Sequence, residues 1–238
     1  MLKNRYFITF GVVFLVLLLD QIIKVWIKTS FNYSDSSISL IGDWFHLNYI
    51  ENQGMAFGTQ LGSGMWGKLI LSLFRVGAII GIAYYIIKQI KNKNIRVEFL
   101  VVLALILAGA TGNLIDSMFY DFLFKDYFDP CIPYNQMHGS GIWEECIYGN
   151  FSETVEVRHR GFLFGNVVDM FQFNVIWPSW VPWLGGTQVF PAIWNIADGS
   201  ISVGVILILF RQKKYFPKDK QIDAEKIDNA SDVDDENL

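Results

Sequence analysis

The segment FPAIWNIADGSISVGVILILF (Phe190–Phe210) reads as a membrane span that carries a carboxylate, Asp198, about two turns from its start. Such a group costs about 2.5–3.5 kcal/mol near a helix centre on insertion scales, so an intramembrane acid points to function. Other polar residues fall at a similar level. Asp20 and Lys24 share a helix face at i, i+4 spacing. Asn113 and Asp116 close GATGNLID (Gly109–Asp116), and Asp169 lies in GNVVDMF (Gly165–Phe171). At 1.5 Å per helical residue, Asp20 lies roughly 10 Å and Asp198 roughly 12 Å below the same face. Two carboxyl groups at one site cannot both ionise easily and hold one proton between them, which suits hydrolysis by an acid and a base. The histidines, His46, His138 and His159, lie in loops outside any nucleophile motif, and no HExxH or paired-His spacing is present. Structural roles compete with catalytic ones. Asp20 with Lys24 reads as a buried salt-bridged pair, Asn113 and Asp116 as helix caps, Asp169 as a hydrated loop carboxylate and Arg75 as the partner of an acid.

The elements that would position these groups are mainly membrane helices. The chain has 238 residues, 52% hydrophobic and 16% aromatic, with mean hydropathy +0.31. That composition suits a polytopic membrane protein. The net charge of −4 is dominated by the acidic C-terminal tail, and nothing reads as a basic, aromatic-interleaved nucleic-acid surface. Four runs are long enough to span: 7–27, 65–87, 97–115 and 189–210. The first has the basic start of a signal peptide, but no small-residue cleavage site follows. Lys3 and Arg5, the link KQIKNKNIR (Lys88–Arg96), and Arg211, Lys213 and Lys214 fall on one side. The positive-inside rule makes that side cytoplasmic, with both termini inside. The outer loops are then 28–64 and 119–188. Alternation around Trp44–Tyr49 predicts a strand. The tryptophans of Asn174–Thr187 suit an interfacial belt. Residues 1–215 form the membrane domain, and 216–238 read as a disordered tail. Cys131 and Cys146 suit a disulfide in an oxidising compartment, with two free thiols as the alternative. A zinc site with His138 would lack a clear fourth ligand.

The motifs DQIIK (Asp20–Lys24), NQGMAFG (Asn52–Gly58), GATGNLID, NVVDMF (Asn166–Phe171) and FPAIWNIAD (Phe190–Asp198) occur in this order. Together they resemble the lipoprotein signal peptidases (signal peptidase II), membrane aspartyl peptidases of bacteria. The resemblance implies an all-α membrane fold of four transmembrane helices, with a small extracytoplasmic β-sheet that includes Ser37–Gly58 and, in this chain, an enlarged outer loop. It implies cleavage of diacylglyceryl-modified prolipoproteins just before the lipidated Cys, at the outer face of the bacterial inner membrane. Asp169 and Asp198 match the catalytic pair. Asn52, Gly54, Asn113 and Asn195 match substrate-binding positions, and Asp20, Lys24 and Asp116 match supporting ones. The resemblance further implies no metal or organic cofactor, a monomer that works among membrane lipids, and inhibition by globomycin-type compounds.

The chain departs from that family pattern in places. Ser117 follows Asp116 where the family usually has Arg, which leaves Arg75, Arg158 or Arg160 as candidate replacements. Gly199 follows Asp198 where Ser is usual, and the connection from Asp116 to Asp169 is much longer. Two rival functions follow from the same residues: a catalytically inactive homologue that binds lipoproteins, and an ion- or proton-conducting membrane protein. A relay would need acids across the full membrane depth, whereas these cluster toward the outer side.

Overall fold

The computed structural model describes residues 2–31, 37–53, 65–136 and 139–216. Its elements run α1 (Leu2–Ser30), β1 (Ile38–Ile41), β2 (Phe45–Asn52), α2 (Met65–Lys91), α3 (Val97–Leu123), β3 (Ile142–Tyr148), β4 (Phe151–Val157), β5 (Val167–Phe173), β6 (Ile193–Trp194), α4 (Ile196–Phe210) and a short α5 (Gln212–Tyr215). Three helices, α1, α2 and α3, are long and apolar enough to cross a membrane, whereas α4 has 15 residues. Apart from Phe216, the acidic tail lies outside the described residues, as do Gly54 and His138.

The apolar run before Asp198 is not helical throughout, and this revises the depth assigned to that residue. Val189 N–H donates to the Val175 carbonyl at 2.8 Å, and β6 pairs with β5. Pro191 removes a donor and disfavours helix at the residue before it. The helix begins only at Ile196, where Asn195 caps it: the Asn195 side chain accepts from Asp198 N–H, and the Asp198 side chain accepts from Asn195 N–H. Asp198 therefore sits in the first turn of α4. There the unpaired amides and the helix dipole favour a carboxylate, so the cost of a mid-helix charge does not arise.

Helix α3 is the central post, packed by α1, α2 and α4. Glycines bring its neighbours close. A Cβ on Gly109 would collide with the Ala197 carbonyl, and one on Gly204 would lie 2.5 Å from Ile106 Cγ1. Small residues give helices this approach in lipid, where contact and polar pairing drive association. One apolar cluster, including Ile86, Phe99, Leu103 and Tyr215, closes the end of the bundle opposite the sheet. A second, including Ile27, Leu47, Tyr120, Val168 and Met170, lies between the helices and the sheet.

The sheet has the order β1-β2-β5-β6, and β3-β4 form a separate antiparallel hairpin. In the β2–β5 ladder Ile50 faces Asp169 and Asn52 faces Val167. The strand read from the sequence around Trp44–Tyr49 corresponds to β2. The hairpin belongs to the long second loop and is fastened at two points. Cys131 and Cys146 form a disulfide with Cα atoms 5.4 Å apart. Arg158, buried, makes a two-pronged pair with Asp121 at 2.7 and 2.9 Å and donates to the Phe164 carbonyl at 3.0 Å.

Replacing Cys131 and Cys146 together by Ser is expected to lower the unfolding free energy by about 3 kcal/mol, the loop-closure value for this span. Activity per folded molecule should hardly change. Thermal unfolding and activity measured on one preparation check this. A variant with wild-type stability and no activity would contradict it.

Candidate active site

Five elements converge on one polar cluster. From α1, Lys24 is fully buried, and its Nζ lies 3.0 Å from Asp20 Oδ2 and 2.8 Å from Asp116 Oδ2 on α3. The same ammonium donates to Asn113 Oδ1 at 3.0 Å. One cation thus serves two carboxylates and an amide, which gives buried charges the pairing they need in a dry interior. Gln21 adds a second bridge: its Nε2 donates to Asp20 Oδ2 at 3.1 Å and Asp116 Oδ1 at 3.0 Å, and its Oε1 accepts from Tyr120 at 3.1 Å.

This cluster holds the two elements that carry Asp169 and Asp198. Asp20 Oδ1 accepts the Ala197 amide at 2.9 Å and so fixes the first turn of α4. Asp116 Oδ2 accepts the Val168 amide at 3.3 Å, one residue before Asp169 on β5. Gly165 N–H donates to the Ser117 carbonyl at 2.9 Å, and a Cβ on Gly165 would strike the Asp116 carbonyl. Only a glycine lets β5 start so close to α3.

Two asparagines link the carboxyl groups. Asn195 Nδ2 lies 2.6 Å from Asp169 Oδ1 and 3.1 Å from Asn113 Oδ1, and Asn113 Nδ2 donates to Asp198 Oδ1 at 2.7 Å. Asn52, at the end of β2, donates to the other Asp169 oxygen. Asp169 is 1% exposed, whereas Asp198 is half-buried. Burial first, and then the charge of Asp198, push the Asp169 carboxyl well above the usual carboxylate range. Lys24 and the Asn195 hydrogen bond oppose that shift.

The residues singled out by sequence therefore meet, with Gly54 outside the described residues. Asp20, Lys24 and Asp116 form the support, Asn113 and Asn195 the bridge, and Asn52 contacts Asp169 directly. Of the candidate arginines, Arg75 is the one whose charge acts on Asp198, Asp116 and Asp169. Arg158 is committed to Asp121, and Arg160 reaches Glu144 at 3.3 Å near the surface. Ser117 Oγ returns to its own helix at the Asn113 carbonyl, 3.2 Å away. Gln21 and Lys68 were missed. Lys68, buried on α2, donates to the Gln53 carbonyl at 2.7 Å and holds the chain next to Asn52. Gln21 stood inside the DQIIK motif as a polar residue in an apolar run, and that signal was available. Among the described residues no group of three or more His, Cys, Asp or Glu side chains is arranged to hold a metal ion.

The family model described as signal peptidase (SPase) II matches residues 12–213 of the chain. The chain belongs to the signal peptidase II family. It is 38% identical over 204 residues to a lipoprotein signal peptidase of Porphyromonas gingivalis, an alignment covering 84% of this chain and 80% of that one. A lipoprotein signal peptidase of Amoebophilus asiaticus is 32% identical over 211 residues, covering 86% and 77%. A solved bacterial membrane enzyme aligns with a TM-score of 0.52 at 23% identity, covering 89% of this chain and 94% of the other, and shares the fold. The family match runs from within α1 to within α5 and includes both outer loops.

Proposed function

We propose that this chain removes the signal peptide from diacylglyceryl-modified prolipoproteins by cutting before the lipidated Cys, with Asp169 and Asp198 as an aspartyl pair. The observation that carries the reading is the bridge Asp169–Asn195–Asn113–Asp198, with one carboxyl buried and the other half-buried. The pair holds one proton, and burial favours its residence on Asp169. A water between the carboxyl groups loses a proton to the ionised member as its oxygen bonds to the scissile carbonyl carbon. The protonated member donates to the carbonyl oxygen. The tetrahedral intermediate then collapses: the C–N bond breaks, the leaving nitrogen takes a proton from the pair, and a hydroxyl of the intermediate returns one to the pair as it becomes the new carbonyl. Asn52, Gly54, Asn113 and Asn195 bind and orient the peptide beside the pair, and no metal or organic cofactor takes part.

In this reading α4 is the fourth crossing, both termini are cytoplasmic, and the site lies in the outer leaflet of the bacterial inner membrane. A monomer suffices, because the whole cluster comes from one chain. The lipidated substrate enters laterally, with its acyl chains left among the lipids.

The pH dependence has a defined sign. A raised pKa keeps the shared proton in place as pH climbs past the ordinary Asp value of about 3.9. The alkaline fall in kcat/KM is therefore expected well above that value, leaving the enzyme active near neutrality. A pH–rate profile checks this, and activity lost on rising through about pH 5 would contradict it.

The function itself is tested by giving the purified full chain one prolipoprotein with and without its diacylglyceryl group. The expected products, from the lipidated form alone, are the free signal peptide and a chain beginning at the lipidated Cys. Globomycin is expected to block the reaction. Binding without release would overturn the peptidase reading and favour a lipoprotein-binding homologue.

A further inference from the structure

Between β5 and β6 the chain makes an excursion that the catalytic cluster does not use. No Asp, Glu, Lys, Arg or His occurs between Asp169 and Asp198. The excursion is nevertheless ordered. Trp177 N–H donates to the Thr187 carbonyl at 2.9 Å, Gly186 N–H to the Trp177 carbonyl at 3.0 Å, and Val189 N–H to the Val175 carbonyl at 2.8 Å. The tip closes on itself through Val181 to Pro178, Gly185 to Val181 and Thr187 to Leu184. This closed tip presents Trp180 at 80% and Trp183 at 97% exposure, with Ile176 and Leu184 also exposed. Beside its root the exposed Leu40, Ile41 and Trp44 continue the apolar surface, and Asn174 N–H ties root to sheet at the Trp44 carbonyl, 2.8 Å away.

The height of the root can be bounded. Glu98, at the start of α3, receives Lys214 at 2.7 Å and also Arg211, so this charged cluster marks the inner edge of the hydrocarbon. From Glu98 to Asn113, which bonds Asp198, α3 rises about 22 Å. A hydrocarbon core of about 30 Å then leaves the catalytic pair about 8 Å below the outer edge. Phe173 is four strand residues from Asp169, at most about 13 Å away. Whichever way β5 points, the root rises no more than about 5 Å above the hydrocarbon edge, within the headgroup layer.

We propose that the hairpin 174–192 is a membrane-entering element that seats Trp180 and Trp183 among the lipids of the outer leaflet. Six amide hydrogen bonds within the hairpin lower the cost of entering that layer, where an unpaired peptide group is costly. Indoles favour the same layer, with an apolar ring and one polar N–H. The absence of charge removes the desolvation cost that would hold the hairpin in water, and Leu40, Ile41 and Trp44 extend the apolar face at its root. This rests on the transmembrane placement and not on the peptidase chemistry.

The test uses the full chain with Trp180→Cys or Trp183→Cys. The two native cysteines are bonded to each other, so each variant offers one thiol for a nitroxide label. The labelled proteins are placed in vesicles of phosphatidylethanolamine and phosphatidylglycerol. Collision rates with oxygen and with a water-soluble nickel complex are then read by electron paramagnetic resonance. Glu145→Cys, exposed on β3, is the water-facing reference. The expected oxygen-to-nickel ratio is severalfold higher at 180 and 183 than at 145. Equal ratios would overturn the proposal. Spin–spin broadening relieved by dilution with unlabelled protein would overturn it too, assigning the face to a second copy. Cleavage of lipidated prolipoprotein is read in the same vesicles. Deep labels without cleavage bear on the peptidase reading alone, and active protein with water-facing labels overturns the hairpin proposal alone.

Discussion

Replacing Lys24 by Met is expected to destabilise the protein by about 3–5 kcal/mol, the cost of removing one partner from a buried ion pair. The side chain is fully buried, with Asp20 Oδ2 and Asp116 Oδ2 3.0 and 2.8 Å from its ammonium. Met preserves most of the volume, so the loss is electrostatic and not a cavity. Two buried carboxylates are left facing each other, with Gln21 as the remaining shared donor. Because Asp20 holds the start of α4 and Asp116 holds β5, activity should fall along with stability. A triple variant, Asp20→Asn, Lys24→Met and Asp116→Asn, removes the stranded charges and is expected to recover much of the stability. Thermal unfolding of the three proteins in one detergent checks this. A Lys24→Met protein with the wild-type transition would show that the carboxylates are not held by Lys24.

The second large effect concerns chemistry. Asp169→Asn and Asp198→Asn keep the side-chain shape but remove the titrating proton. Positioned acid–base groups contribute about 10²–10⁴-fold in rate. Each single substitution is expected to cost about 10³-fold or more, and the double variant little beyond either single one, because the groups act as a unit. The two variants should differ in stability. An amide at 169 accepts from Asn195 with its oxygen but then presents N–H toward the Asn52 donor. At 198 the Asn113 donor still finds an oxygen, and the amide N–H meets only the longer bond from Asn195 N–H, 3.4 Å in the wild type. Asp169→Asn is therefore the less stable of the two, and rates must be normalised to folded protein.

How much of this site was legible in the chain depends on the range of the interaction. The Asp20–Lys24 pair follows from helix spacing alone, and the convergence of α1, α3 and α4 follows from placing polar residues along the membrane normal. The contact between Asn52 and Asp169 depends on the register of β2 against β5, which single-strand alternation does not specify. The start of α4 was misplaced because an apolar run reads alike whether helical or extended. Pro191 and the Asn195–Asp198 capping box were the local signals that decide it. The insertion was legible only as a length and two cysteines. Its attachment through Arg158 and Asp121 joins residues 37 positions apart, a pairing that no local pattern encodes. Ser117 is a further case: its departure from the family pattern was visible, but its return to the Asn113 carbonyl was not.

The most direct test of the account is the initial rate of cleavage of a diacylglyceryl-modified prolipoprotein by wild type, Asp169→Asn and Asp198→Asn. It is measured in one bilayer preparation and normalised to folded protein. The expected result is cutting before the lipidated Cys by wild type and a loss of about 10³-fold or more in both variants. Substantial cleavage by either folded variant would contradict the aspartyl pair and move the search for the acid and base to Asp20 and Asp116.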